Sequence, residues 1–288
     1  MALDRRIVEL YDQYTHKPLP RRSFMAKLVV LAGSVAAAEA ALALLEPNAA
    51  QAAQVAVDDP RLTTRRVDET IGGTKLRSYL AEPRTAGTRG GVLVIHENRG
   101  LNLHIEDVTR RFALAGFSAL GVDFLTPLGG TPSDPDAARA LFPTLDAAAV
   151  LAQSKAAFSL LRALPSATGK TGAVGFCWGG GVVNDLATAA PEMTAGVVFY
   201  GRAPQLPRVP EIKAPLLMHH ASRDTRLIEG LPAYEAALKA GSKRYELIIY
   251  PDVDHAFHND TSAERYNEAA AKLAFSRTVA FFAGELKS

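Results

Sequence analysis

The chain of 288 residues has one cysteine, Cys177. It therefore forms no internal disulfide, and it offers no Cys-x-x-Cys pair for a structural zinc. No His-Glu-x-x-His run is present either, so the sequence gives no metalloprotease signature. Charge of one sign is also scarce. Thirty-two basic and thirty acidic residues leave a formal net charge of +2, with no lysine/arginine block of the kind that tracks a nucleic-acid backbone. Long apolar runs are few. The longest, residues 28–45, is alanine-rich, is interrupted by Glu39, and is too short and too weakly apolar for a good membrane span. What remains, 48% hydrophobic and 22% charged, is enough to bury one substantial core.

The first 53 residues differ from the rest. Pro20-Arg21-Arg22-Ser23-Phe24-Met25-Ala26-Lys27 precedes the apolar run, and Ala50-Gln51-Ala52 follows it as a small-x-small site. Paired arginines, a weakly hydrophobic segment and such a site read as a twin-arginine export signal. The other reading is an N-terminal helical arm that stays on the protein. Export places the protein in the periplasm; retention places it in the cytoplasm. The segment carries six basic and five acidic residues, so its loss leaves a net charge near +1 and neither state asks for an anionic partner.

From residue 60 onward strands and helices alternate. Residues 63–69 and 75–81 flank Ile71-Gly72-Gly73-Thr74 as a hairpin. Gly91-Val92-Leu93-Val94-Ile95-His96 is a compact apolar run, as in a fully buried parallel strand. Residues 105–115 follow as a helix, with Arg110 and Arg111 expected on its wet face. Further strands are expected at 118–122, 194–200, 214–220 and 245–250, with helices at 146–162, 232–240 and 263–286. This pattern predicts a single domain over 60–288, a three-layer α/β/α sandwich around a mostly parallel sheet with an antiparallel edge.

Cys177 sits at the sharpest point of that pattern. Gly175-Phe176-Cys177-Trp178-Gly179-Gly180 joins a strand to a helix, a Gly-x-nucleophile-x-Gly elbow with cysteine where serine usually stands. A helix N-terminus under the sulfur favours an anion there. A free cysteine is otherwise a buried small hydrophobe, and that reading stands until partners are found. Partners are present after later strands. Asp224 follows the strand at 214–220, and His255 follows the strand at 245–250. The order Cys177, Asp224, His255 is that of nucleophile, acid and base in an α/β-hydrolase. His255 would take the thiol proton, and Asp224 would fix its tautomer. His258 competes with His255, and Asp252 and Asp254 compete more weakly with Asp224. Two backbone N–H groups, of Trp178 and Asn98, are the expected oxyanion hole. Glu97, a carboxylate at a buried strand end, either pairs with Arg99 or another nearby cation or tunes the protonation of Cys177. One of His219 and His220 is expected to bond within the core.

These motifs carry a resemblance. His96-Glu97-Asn98-Arg99-Gly100-Leu101, the Cys177 elbow, the Asp224 loop and Asp254-His255-Ala256-Phe257-His258 resemble the dienelactone hydrolase family of α/β-hydrolases, from about residue 60 to the end. The chain looks closest to a branch that carries a leader-like arm. The resemblance implies hydrolysis of a lactone or ester through a thiol ester, with Cys177, Asp224 and His255 as the triad and Glu97 holding the resting cysteine as a thiol. It implies no metal and no cofactor. The family clamps a substrate carboxylate with two arginines, and this chain has none at either place: it reads Asp123-Phe124-Leu125-Thr126-Pro127 at one and His255-Ala256-Phe257-His258-Asn259-Asp260 at the other. Arg99, Arg202 and Arg226 stand elsewhere. Phe124, Trp178, Tyr200 and Phe257, with Arg99, Arg202 and His258, are the expected pocket, suited to a small, less charged ester or lactone rather than dienelactone. A cysteine peptidase and a binding protein on a hydrolase fold are the alternatives. A homo-oligomer is compatible with the sequence and not specified by it.

Overall fold

The computed structural model describes residues 3–17, 19–46 and 53–287; the small-x-small site at 50–52 lies outside the described residues. An eight-stranded sheet runs in the order β1-β2-β4-β3-β5-β6-β7-β8. Its strands are β1 (Leu62–Ile71), β2 (Thr74–Pro83), β3 (Arg89–Ile95), β4 (Ser118–Val122), β5 (Ala167–Phe176), β6 (Ala195–Phe199), β7 (Leu216–Ala221) and β8 (Tyr245–Tyr250). β1 and β2 form the antiparallel hairpin at one edge, and β3 to β8 pair in parallel. The central strands are buried throughout, which is why they read as apolar runs rather than alternating ones.

Three helices form the N-terminal arm: α1 (Arg5–His16), α2 (Arg21–Ala32) and α3 (Val35–Leu45). The longer helices of the rest of the described chain are α4 (Leu103–Leu114), α5 (Pro135–Leu141), α6 (Ala147–Ala163), α7 (Trp178–Ala189), α8 (Leu231–Ala240) and α9 (Glu268–Glu285), and a single turn spans Thr225–Ile228. Helices cover both faces of the sheet. One core packs Leu93, Phe158 and Val183 side chains from β3, α6 and α7. The other packs Val94, Phe112 and Phe282 from β3, α4 and α9. The sandwich and its mixed, mostly parallel sheet are as expected from the sequence.

Two local expectations are corrected. Arg110 and Arg111 are buried, not wet. Arg110 donates to Val55 O at 2.9 Å and Tyr79 Oη at 3.2 Å, and Arg111 donates to Asp107 at 2.8 Å. The segment after the arm covers that side of α4, and its Val55 N–H in turn donates to Asp107 at 2.8 Å. The Pro/Gly/Asp-rich residues 125–137, expected from composition as a loop throughout, also run into a helix, because Pro135 opens α5 behind the Asp134 cap.

The arm folds as a unit on the domain. Tyr14 stacks on Phe24 with ring centres 4.1 Å apart, and Leu28, Leu42 and Leu45 complete a small core. Gly33, at φ 83°, breaks the apolar run into α2 and α3, which are bent by 110°. Among the described residues no single helix is long and apolar enough to cross a membrane.

Candidate active site

Strand β5 ends at Phe176 and α7 begins at Trp178, so Cys177 alone makes the turn. It does so at φ 54°, ψ −112°, a conformation that an L-residue adopts only when its surroundings impose it. The surroundings are glycines. A Cβ on Gly175 would lie 2.0 Å from Gly179 O, and one on Gly179 would lie 2.5 Å from Ile95 O and 2.6 Å from His96 O. The Cys177 N–H is held by Phe199 O of the neighbouring strand at 3.0 Å. The sulfur is thus lifted above the carboxyl ends of β3, β5 and β6, where open α/β sheets place their ligands.

His255 and Asp224 arrive there from the loops after β8 and β7. His255 Nδ1 lies 2.5 Å from Asp224 Oδ2, and both side chains are almost wholly buried. Arg226 stands 3.7 Å from the same carboxylate oxygen. Burial raises the Asp224 carboxyl, but His255 and then Arg226 overcome this and hold it at about 2. Burial lowers the His255 imidazole; Asp224 and then Cys177 overcome that and raise it to about 10. His255 Nε2 is buried without a hydrogen-bond partner among the described residues.

A third group was not foreseen in the sequence. His16, the last residue of α1, has Nε2 3.2 Å from Cys177 Sγ, and its ring meets that of His255 edge-on at 4.5 Å. Ring nitrogens of His16 and His255 and the sulfur all lie within 4.8 Å of one another, a donor set that a soft divalent ion would accept. Burial and then the neighbouring His255 push the His16 imidazole well below its ordinary value.

A cavity of about 740 Å³ opens over the sulfur. Of the residues expected there, Asn98, Trp178, Tyr200 and Arg202 line it. Arg99 lies in an adjoining recess beside Glu97. Phe124, Phe257 and His258 do not reach it. Phe124 packs behind Trp178 at 5.7 Å, Phe257 is wholly buried beside Tyr250, and His258 stacks on Phe176 at 5.1 Å with burial driving its imidazole far down. Unforeseen walls come from the arm (Thr15, His16, Lys17) and from Arg139 and Phe142. The signal for the arm was present: Ile7, Val8, Leu10, Tyr11 and Tyr14 are buried at helical spacing in α1, an amphipathic stripe that a bare leader does not require.

Glu97 neither pairs with Arg99 nor bonds the thiol. It accepts from Asn259 Nδ2 at 2.7 Å and from Tyr200 Oη at 3.4 Å. Arg99 instead donates to Pro135 O at 2.8 Å and faces Asp136. His219 bonds Thr278 and Tyr250 within the core, both at 3.1 Å.

Residues 76–286 match the dienelactone hydrolase family. The chain belongs to that family. It is 32% identical over 245 residues to a "Putative carboxymethylenebutenolidase" of Saccharolobus solfataricus, covering 73% of this chain and 94% of the relative. It is 30% identical over 233 residues to a "Probable 2-oxo-3-(5-oxofuran-2-ylidene)propanoate lactonase" of Bradyrhizobium, covering 75% and 92%. Among solved structures, a "Putative Dienelactone Hydrolase" from Klebsiella pneumoniae superposes with a TM-score of 0.71 at 26% identity, over 77% of this chain and 98% of that one. Family and fold together make this chain a hydrolase of the dienelactone hydrolase type, acting on an ester- or lactone-like substrate.

Proposed function

We propose that the protein cleaves a neutral or weakly charged ester or lactone through a thiol ester on Cys177. The observation that carries this reading is the buried Asp224–His255 pair set beside a sulfur on a strained elbow. His255 Nδ1 donates to Asp224, which leaves Nε2 bare and more basic, ready to take the thiol proton. The thiolate attacks the acyl carbon, and the carbonyl electron pair moves onto oxygen. The N–H groups of Trp178 and Asn98, neither engaged by another group among the described residues, supply the oxyanion stabilisation. As the C–O bond breaks, the proton on His255 Nε2 passes to the leaving oxygen. Water then gives a proton to His255 and its hydroxide to the thiol ester, and the sulfur leaves with that proton.

The substrate class follows from the walls. Trp178, Phe142 and Tyr200 are aromatic, and the arginines at or beside the cavity are paired, Arg99 with Pro135 O and Asp136, Arg139 with Tyr14 O and Asp136, Arg202 with Asp185 and Arg226 with Asp224, while Lys17 is an exposed cation at the rim. This favours an acyl group without a carboxylate. The test is hydrolysis of p-nitrophenyl esters, neutral lactones and dienelactone by the full chain and by Cys177→Ala. Turnover lost in the variant, with neutral substrates preferred, is the expected result. Turnover unchanged in Cys177→Ala overturns the mechanism, and a strong preference for dienelactone overturns the substrate class.

A further inference from the structure

We propose that His16 of the N-terminal arm holds the Cys177 thiol in its protonated resting form, so that the arm is a working part of the active site. The proposal rests on the reading of Cys177 as nucleophile and adds a residue to it from outside the hydrolase domain.

The tautomer of His16 is fixed by its surroundings. Nδ1 lies 2.8 Å from Asp12 O, a carbonyl that can only accept, so Nδ1 carries the hydrogen. Thr15 Oγ1, 3.0 Å from Nδ1, has its own hydrogen directed to Tyr11 O or Asp12 O and does not compete for the role of donor to the ring. In the neutral ring Nε2 then bears a lone pair, and that lone pair faces Sγ at 3.2 Å. The thiol must be the donor. His255 Nε2 lies close enough to the sulfur to interact with it but makes no well-formed hydrogen bond among the described residues, whereas His16 Nε2 does, so the single thiol proton is better received by His16 than by the base. Glu97 does not take this part: its oxygens accept from Asn259 and Tyr200 and make no bond to the sulfur.

The ring is held in place from both sides. Asn98 Nδ2 donates to Thr15 O at 2.7 Å, one residue before His16. Arg139 donates to Tyr14 O at 2.7 Å and lies over the Tyr14 ring at 4.0 Å. Tyr14 Oη donates to Asp136 at 2.9 Å. The end of α1 is therefore fixed to the loop after β3 and to α5, both of which wall the cavity.

A hydrogen bond donated by the neutral form favours that form. At rest the proton is on sulfur; His255 then faces a neutral thiol and lacks the support that a Cys177 thiolate gives its imidazolium, and its ring is the acceptor of the step. On activation it moves from Sγ to Nε2 of His255, giving thiolate and imidazolium, and the bond to His16 is given up. No other bond forms or breaks in this step, and no further reactant is needed.

The single cysteine makes the test direct, because the protein has one S–H stretching band in the infrared. In the full chain this band is expected at lower frequency than in the denatured protein, and absent in Cys177→Ala. His16→Ala moves it back to the free-thiol position. His16→Gln, whose side-chain oxygen still accepts, keeps it low. Alkylation of Cys177 by iodoacetamide at neutral pH is expected to rise at least about fivefold in His16→Ala and much less in His16→Gln. A band unmoved by His16→Ala, or no S–H band in the wild-type chain, overturns the proposal. Ester turnover alongside either result leaves the Cys177 chemistry standing and removes only His16; a shifted band without turnover does the reverse.

Discussion

Replacing Asp224 by Asn should disable the base while leaving the fold intact. The isosteric amide keeps a partner for His255 but removes the negative charge 2.5 Å from its ring. In the native site His255 rises from 6.5 to about 10, with burial opposing and Asp224 the first of the groups that raise it, ahead of Cys177. A rise of about 3.5 pH units is worth about 5 kcal/mol of imidazolium stability. If Asp224 supplies between half and most of that, the thiolate–imidazolium pair falls about 10²- to 10³-fold in population. The expected fall in kcat/KM for p-nitrophenyl acetate at neutral pH is therefore between about 10²- and 10³-fold. Alkylation of Cys177 by iodoacetamide should fall as well, because the same pair provides the reactive thiolate. Both are read on one preparation whose thermal midpoint is measured first. A loss of less than about threefold in turnover, with the fold retained, would show that the Asp224 charge does not act through His255.

Gly179→Ala should damage the elbow by overpacking. Its Cβ would meet two backbone carbonyls at 2.5 and 2.6 Å, neither able to turn aside, so a cost of about 1–3 kcal/mol and loss of ester turnover are expected; a thermal midpoint equal to that of the native chain counts against the packing argument. Acid should loosen the arm. A free His16 titrates near 6.5, but the docked ring is pushed well below that by burial and by His255, so the undocked state binds the extra proton and docking weakens as pH falls. Between pH 7.5 and 5.5 this is about tenfold in the docking equilibrium, read by hydrogen exchange of the α1 amides. Asp12, raised by burial, acts in the opposite sense, so Asp12→Asn should steepen the response. Protection of α1 that is flat over this range would contradict the assignment of a neutral, docked His16.

The parts of the molecule governed by local pattern were legible in the sequence. The apolar runs of β3 and β4 need both faces covered, and that requirement alone predicts helices on each side. The elbow was legible because only glycines tolerate the approach of α7 to β3. What could not be read is what depends on partners distant in the chain. Arg110 and Arg111 look like a solvated pair until Val55 and Tyr79 supply acceptors for Arg110, and Asp107 and Asp260 for Arg111. Asp136 sits in a Pro/Gly/Asp-rich stretch that reads as loop, yet it gathers Tyr14 and Arg21 from more than one hundred positions away, and Arg99 besides. His258 and His255 are three residues apart and chemically alike; only the turn at Ala256, with φ 65°, sends one to the sulfur and the other into the core.

The first 53 residues bear two readings, and physically these are readings of two different pockets. With the arm in place, Arg99 and Arg265 are buried beside the thiol and covered by α1. Arg99 lies 3.5 Å from Tyr11 Oη, and Arg265 stands over the Tyr11 ring at 5.0 Å and faces Asp12 at 3.7 Å. His16 and Thr15 close the wall, and the cations are neutralised from within the chain. Removal of the arm by cleavage as an export leader would take away Tyr11, Asp12 and His16 together. Arg99 and Arg265 would then be left beside the sulfur in the recess they share with Glu97, with Arg99 still on Asp136, a setting more open to an anionic acyl group. Paired arginines at 21 and 22 do not decide between the two, because Arg21 has a structural role of its own on Asp136 and Glu46. The intact mass of the protein from its native host does, and with it the charge of the substrate that the site is built to receive.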